Sequence, residues 1–398
     1  MGFLVKKQKG LIITGIVGLA IVSFIASLSF ALIDTIWAVY LNSFVNSAAI
    51  VGLISSFLTI AAFISYFLIV PFIEKVNKVK IYSISLFIFA IAYILFAINT
   101  KFYIFIIVAF ITTIIHTIRI TSFGIIIKDN SPANQLSRNE GLTYTFANTA
   151  WLIGPLISGF ISDKYGISII FVLSTVFILT ALILFKMLNI KDNNIKKRAD
   201  YSFIKNFKDF FKSKDRVFAY VISGGVNYWW SFIYLFIPIF IIEKGLQVSW
   251  VGYFLFAIVI PIMFTQYYFS KLAGKIGFRT IFKIGYFIPA VFALLCFFTA
   301  NIYLILLYLI LASFGLAMLE PTTEAYFFDV LKGREDLRFY GPYNTTIDAN
   351  NLIGRVLSTI ILFLLPFNYL FLFYSFSMFI FFLISFKTRK IIEGNRKR

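Results

Sequence analysis

Nine stretches of this chain run for twenty or more residues without one charged side chain: 10–33, 35–73, 81–100, 141–162, 165–185, 217–242, 245–270, 284–319 and 356–386. A helix needs about 20 apolar residues, rising 1.5 Å each, to cross the hydrocarbon of a bilayer. Several of the stretches are long enough for two passes. Asn42, Ser43, Asn46 and Ser47 divide one of them, Asn301 another, and Pro366, Phe367 and Asn368 a third. Only 13% of the 398 residues are charged and 60% are hydrophobic. Such a chain cannot cover a soluble surface, which excludes a soluble globular enzyme and intrinsic disorder alike.

Twelve spans are predicted, at 11–40, 48–70, 80–98, 102–127, 142–161, 167–188, 217–242, 249–270, 280–299, 302–328, 344–365 and 368–386. The fold class is an all-α membrane protein of two pseudo-symmetric six-helix bundles. Helices satisfy their own backbone in lipid, and a barrel would show alternating strands of about ten residues instead. The first apolar stretch follows Lys6, Lys7 and Lys9, as in a signal peptide. It is too long for one and no small-residue cleavage pattern follows, so it reads as a retained helix.

The net charge of +19 is resolved by position. With both termini inside, 31 of the 36 Lys and Arg residues fall on inner segments and only Lys101, Lys164 and Lys244 fall outside; Arg119 and Arg355 lie within spans. That split follows the positive-inside rule, and charge spread over every inner loop gives no nucleic-acid surface. The predicted location is the cytoplasmic membrane of a prokaryote, multi-pass, with both termini cytoplasmic.

The longest polar segment, 189–216, divides the chain into 1–188 and 217–398. Within it, Phe203, Phe207, Phe210 and Phe211 alternate with Lys205, Lys208, Lys212 and Lys214 at helical spacing, which predicts an amphipathic helix at the inner surface. The halves match at a constant offset of 200, pairing Gly52 with Gly252, Lys75 with Lys275, Asp129 with Asp329, Arg138 with Arg338, Gly141 with Gly341 and Gly154 with Gly354. A parallel repeat of six spans is one layout of secondary transporters.

On these features the whole chain resembles the major facilitator superfamily. That family carries G-x-x-x-D-[RK]-x-G-[RK]-[RK] between its second and third helices. Here the segment is VPFIEKVNKVK, with Glu74, Lys75, Asn77 and Lys78 at the motif positions and Val70 in place of the first glycine. The second half keeps Lys275, Gly277 and Arg279, with Gly274 at the acidic position. Gly154, Pro155 and Gly159 resemble the fifth-helix motif of the drug:proton antiporter branch, and Gly159, Asp163, Lys164 and Gly166 resemble the short form of the loop motif. Arg119 followed by Gly124 approximates the fourth-helix R-x-x-x-G, one residue late. The resemblance implies alternating access, with the first, fourth, seventh and tenth spans lining a central cavity and the two loop motifs acting as gates.

Ionisable residues inside spans are expensive and mark function. Asp34 lies in the first span, His116 and Arg119 in the fourth, Glu320 and Glu324 in the tenth, and Asp348 and Arg355 in the eleventh. The seventh contributes Asn227, Tyr228, Trp229, Trp230 and Tyr234. The expected substrate and proton cavity comprises Asp34, His116, Arg119, Asn227, Trp229, Trp230, Glu320, Glu324 and Arg355. Asp34 reads equally as a proton acceptor or a solvated cap, and His116 as a proton shuttle or a hydrogen-bond donor between helices. Arg119 and Glu320 sit at similar depth, as a gating ion pair or a static one. Arg355 would bind a substrate carboxylate or pair with Glu324. The two tryptophans would stack on substrate or face lipid.

No nucleotide-binding loop G-x-x-x-x-G-K-[ST] occurs, Cys296 is the only cysteine and His116 the only histidine. The expectation is therefore a monomeric transporter without metal or cofactor, whose partners are a small molecule, protons and the bilayer. The favoured reading is proton-coupled efflux of a lipophilic compound. Uptake of a small organic anion, centred on Arg119 and Arg355, is the alternative. A membrane-embedded lipid-modifying enzyme would need one polar cluster. Asp129, Asn134, Arg138 and Glu140 form such a group, but Asp329, Arg334, Glu335 and Arg338 echo it, which favours a loop brace.

Overall fold

The computed structural model of the chain describes residues 4–6, 11–13, 15–73, 76–132, 135–190, 192, 203–331 and 335–391. Glu74, Lys75, Asn134, Arg334 and residues 193–202 of the central linker lie outside the described residues. In chain order the elements are β1 (Leu4–Lys6), β2 (Leu11–Ile13), α1 (Gly15–Val45), α2 (Ala48–Ile73), α3 (Lys78–Ile98), α4 (Phe102–Asp129), α5 (Leu136–Tyr165), α6 (Ile167–Met187), α7 (Phe203–Phe210), α8 (Lys214–Glu243), α9 (Val248–Ile276), α10 (Phe278–Phe298), α11 (Ile302–Val330), α12 (Asp336–Leu364) and α13 (Asn368–Ser385). Eleven of these helices are long and apolar enough to cross a membrane. The twelfth long helix, α5, has 30 residues, ample for a crossing, but its first half carries Asn139, Glu140, Thr143, Thr145, Asn148 and Thr149. The molecule is an all-α multi-pass integral membrane protein.

Local chemistry sets the helix ends. Asn77 caps α3 by accepting from the Lys80 amide at 2.7 Å, and Asn301 caps α11 by accepting from the Tyr303 amide at 2.9 Å. Gly166 (φ 86°) and Gly277 (φ 82°) make the sharp α5–α6 and α9–α10 turns in a backbone region that a side chain would strain. Inside the apolar helices, hydroxyls return to their own backbone: Thr112 Oγ1 donates to the Val108 carbonyl at 2.9 Å and Thr359 Oγ1 to the Arg355 carbonyl at 2.7 Å.

Four predicted boundaries are corrected. The first helix starts at Gly15 rather than residue 11, because the β-branched run at Ile12 and Ile13 pairs antiparallel with β1, Leu4 opposite Ile13 and Lys6 opposite Leu11. It also continues past residue 40 to Val45, since Ser43 Oγ bonds back to the Tyr40 carbonyl at 2.7 Å and the turn waits for Asn46 (φ 48°). α5 and α12 begin at Leu136 and Asp336, several residues before the predicted 142 and 344. Hydropathy marks where lipid begins, whereas the helical hydrogen bonds continue into the polar segment ahead of it.

Packing separates the chain into two units. Unit 1 holds 1–46, 57–197 and 246–253, and unit 2 holds 47–56, 198–245 and 254–398. Within unit 1, α1 packs on α4, α5 and α6, and α3 on α4 and α6. Within unit 2, α8 packs on α11, α12 and α13, and α10 on α11 and α13, which is the same scheme. The starts of α2, α3, α4 and α5 at 48, 78, 102 and 136 recur at 248, 278, 302 and 336, the offset of 200 already visible in the sequence.

Helix association in lipid relies on close packing rather than on expulsion of water, so small residues sit at the crossings. A Cβ on Gly154 would stand 2.6 Å from the Ala31 Cβ, and the equivalent Gly354 abuts Ser231, 200 residues after Ala31. A Cβ on Gly159 would stand 2.8 Å from the Gly252 Cα, while Gly52 abuts Thr359, again the pair shifted by 200. The aromatic excess fills the cores. In unit 2 the Tyr374 ring stacks on Phe232 at 4.2 Å, with Trp229 edge-on at 6.2 Å.

Candidate functional site

In unit 1 the polar residues of α4 stand among aromatic rings. The Arg119 guanidinium lies 4.0 Å from the centre of the Phe30 ring on α1, a cation–π contact. Its Nε is buried without a hydrogen-bond partner among the described residues. His116, one turn earlier, meets Phe30 edge-on at 5.6 Å and Phe89 at 6.3 Å. Tyr82 of α3 stacks on Phe123 of α4 at 4.9 Å, one turn beyond Arg119. Tyr82 is fully buried and its hydroxyl has no partner among the described residues. The Tyr82 and Tyr93 hydroxyls are both within electrostatic range of Arg119, and Asp34 is within range of Tyr93.

In unit 2, Glu320 and Glu324 of α11 each accept from a neutral donor. Trp230 Nε1 of α8 donates to Glu320 Oε1 at 2.6 Å, and its ring lies 5.4 Å from Tyr234. One turn on, Glu324 Oε1 accepts from the Tyr340 hydroxyl of α12 at 2.9 Å. Trp229 instead points into the unit, fully buried against Phe232 and Tyr374. Asn227 Nδ2 returns to the Ser223 carbonyl at 3.4 Å. Arg355 Nη1 donates to the Ser55 carbonyl at 3.4 Å, and Asp348 is within electrostatic range of Arg355. Unit 2 thus gathers Trp230 and Glu320, and unit 1 gathers His116 and Arg119.

The motif residues sit at helix ends. Asn77 is the cap of α3, and the Lys78 amide donates to Asp192 Oδ2 at 3.0 Å, so a residue from the segment that follows α6 adds a second cap. Lys275 lies in the last turn of α9 and Gly277 is the turn into α10. Arg279 Nε donates to the Thr388 carbonyl at 2.7 Å, and the Phe278 amide to the Ile391 carbonyl at 3.1 Å, tying the start of α10 to the chain beyond α13. Gly154, Pro155 and Gly159 lie along α5 with both glycines at helix crossings.

Sequence reasoning missed three features. Tyr340 donates to Glu324 and Tyr82 lies within electrostatic range of Arg119, and in a chain with 22 tyrosines nothing in the sequence singles them out. Polar positions at helical spacing were legible but not used: Tyr144, Asn148 and Trp151 on α5, and, on α12, Asn344 and Asn351 beside the Asp348 and Arg355 already read from the sequence. The third is a charged clasp around α7. Arg338 pairs with Asp209 and donates from Nε to Asn206 Oδ1 at 2.9 Å, and Arg216 donates to the Phe210 carbonyl at 3.0 Å. A hydrogen bond from Lys212, reinforced by the positive charges of Lys212, Arg338 and Lys205, holds the Asp209 carboxyl below its ordinary value. Among the described residues no three His, Cys, Asp or Glu side chains gather as a metal-binding group.

The fold recurs in solved transporters. The chain superposes on the nucleoside transporter NupG with a TM-score of 0.77 at 14% identity, over 95% of this chain and 100% of that one. It superposes on a POT family transporter in complex with 5-aminolevulinic acid with a TM-score of 0.75 at 12% identity, over 94% of this chain and 95% of that one. A bacterial homolog of the human lysosomal transporter Spinster, in an inward-facing and occupied conformation, aligns with a TM-score of 0.70 at 15% identity, over 87% of this chain and 81% of that one. At such identities the likeness is one of fold, and it reaches beyond the drug:proton antiporter branch. No curated protein sequence matches the chain. The sequence signature described as Major Facilitator Superfamily matches residues 19–293 and 259–398, nearly the whole length. The chain belongs to the Major Facilitator Superfamily of membrane transporters.

Proposed function

We propose that this transporter is proton-coupled and exports a lipophilic compound by alternating access, with Glu320 as the proton carrier. The observation that carries the reading is the bond from Trp230 Nε1 to Glu320 Oε1 at 2.6 Å. Glu320 precedes the end of α11 at Val330 by 10 residues, about 15 Å into the helix. A carboxylate at that depth with a neutral donor is costly to keep charged, and a proton removes the cost. The indole then marks the protonation state by the strength of its bond to the carboxyl.

Glu324 and Tyr340 extend the acidic, aromatic character by one turn, which suits a lipophilic substrate with polar groups. Segments 1–188 and 217–398 act as the two rocking bundles, and the loop residues Glu74, Lys75, Asn77 and Lys78, with Lys275, Gly277 and Arg279, as the gates. The protein works as a monomer in the cytoplasmic membrane with both termini inside, the orientation that the Lys and Arg distribution favours. The test is a panel of lipophilic compounds presented to proteoliposomes under an imposed pH gradient. Substrate movement that follows the gradient supports the reading, and movement indifferent to it for every transported compound refutes the coupling.

A further inference from the structure

Arg119 is the one cation of unit 1's described residues that lies deep in a span, 10 residues before the end of α4 at Asp129, about 15 Å along the helix. Within unit 1 no described carboxylate forms an ion pair with it. Its guanidinium carbon lies over the Phe30 ring, 4.0 Å from the ring centre. Among the described residues the buried Nε has no acceptor, and the buried Tyr82 hydroxyl, packed one turn along α4 against Phe123, has no partner either. Two orphaned donors flanked by aromatic rings in a low-dielectric setting are expensive unless an acceptor arrives from outside the protein fold. A planar fork matches a carboxylate.

We infer that Arg119 and Tyr82 form an anion-binding subsite in unit 1 and that the transported lipophilic compound is an organic acid, its carboxylate on Arg119 and Tyr82 and its apolar body against Phe30 and Phe123. The inference rests on the transport reading for its setting and sharpens the substrate class. Glu320 is not part of it. The cation enters as a ligand for substrate, and the stacking ring below it supplies orientation rather than charge compensation.

The experiment is equilibrium binding to the full-length protein in nanodiscs of zwitterionic lipid, at fixed pH and without a gradient. The probes are benzoate, phenylacetate and indole-3-acetate, each compared with its uncharged amide. At least one acid should bind, with its amide weaker by about tenfold or more, the loss of one charge-assisted bond. Arg119→Gln should abolish that preference. Tyr82→Phe should weaken the acid about tenfold and leave the amide within about twofold. Equal affinity of every acid and its amide overturns the inference, as does an unchanged preference in Arg119→Gln. Should Arg119→Gln fail to fold, an unchanged preference in Tyr82→Phe overturns it instead. Loss of the preference on adding phosphatidylglycerol to the discs assigns the subsite to a lipid headgroup and also overturns it. Glu320→Gln should keep the preference, so failure of proton coupling and failure of the anion subsite are read separately.

Discussion

Trp230 and Glu320 meet through a single 2.6 Å hydrogen bond between α8 and α11, a tryptophan donor satisfying a carboxylate inside a membrane span. Its neighbour in sequence, Trp229, turns into the packed core of unit 2 instead. One residue of helical rotation therefore separates a packing tryptophan from one that governs a titratable group.

Removing that donor should be felt in function before stability. Trp230→Phe keeps an aromatic, though smaller, ring and deletes the indole N–H, a bond of about 1.5–3 kcal/mol when the acceptor is charged. Gradient-driven accumulation in proteoliposomes should fall about tenfold or more, with the unfolding midpoint within a few degrees of wild type. Trp229→Phe should do the reverse, costing about 1–3 kcal/mol of stability by under-filling the core around Tyr374, with coupling retained in whatever protein folds.

The contact of Gly159 with Gly252 predicts a steric failure. Backbone stands on both sides, so no side chain can swing away, and a Cβ on Gly159 would lie 2.8 Å from the Gly252 Cα. Gly159→Ala should lower the thermal midpoint through an overpacking cost of about 1–3 kcal/mol. Gly124, whose added Cβ would meet nothing within 4 Å, is the control, and Gly124→Ala should be neutral or mildly stabilising.

The clasp on α7 predicts a pH dependence. The Asp209 carboxyl is held below its ordinary value chiefly by the hydrogen bond from Lys212, then by the charges of Lys212, Arg338 and Lys205. For a depressed carboxyl, the contribution to docking is complete above its unfolded value of about 3.9 and is lost as pH falls through the lower folded value. A fluorophore on Ser213→Cys should report docked α7 from pH 8 down to about 5 and release only below about 4. Arg338→Gln should release it at neutral pH. Release of wild type near pH 6 would show that another group holds the helix.

Orientation follows from the loops. Cysteines placed at Asn46 and at Lys212, in a chain whose native Cys296 is buried, should label from opposite faces of the membrane. Labelling of both from one face would contradict the charge-based topology.

The architecture was largely legible because lipid imposes one rule on each span. Uncharged runs gave twelve helices, and the offset of 200 foretold the repeated helix starts at 48 and 248, 78 and 278, 102 and 302, 136 and 336. What stayed illegible depends on rotation and on partners. Trp229 and Trp230 are alike in sequence, and only the packing of α8 tells which one reaches Glu320. Glu324 and Arg119 were visible as charges, but Tyr340 and Tyr82 were two tyrosines among 22. The starts of α5 and α12 were misplaced because hydropathy reports lipid contact, while helices are held by their own backbone.

The most direct test is the simultaneous measurement of proton and substrate flux in proteoliposomes for wild type and Glu320→Gln. Wild type should move protons with substrate in a fixed ratio. Glu320→Gln keeps the side chain's size and its acceptor oxygen for Trp230, so it should retain substrate exchange within about twofold while losing gradient-driven accumulation and coupled proton movement. Coupled proton flux and accumulation at wild-type levels in Glu320→Gln would contradict the account.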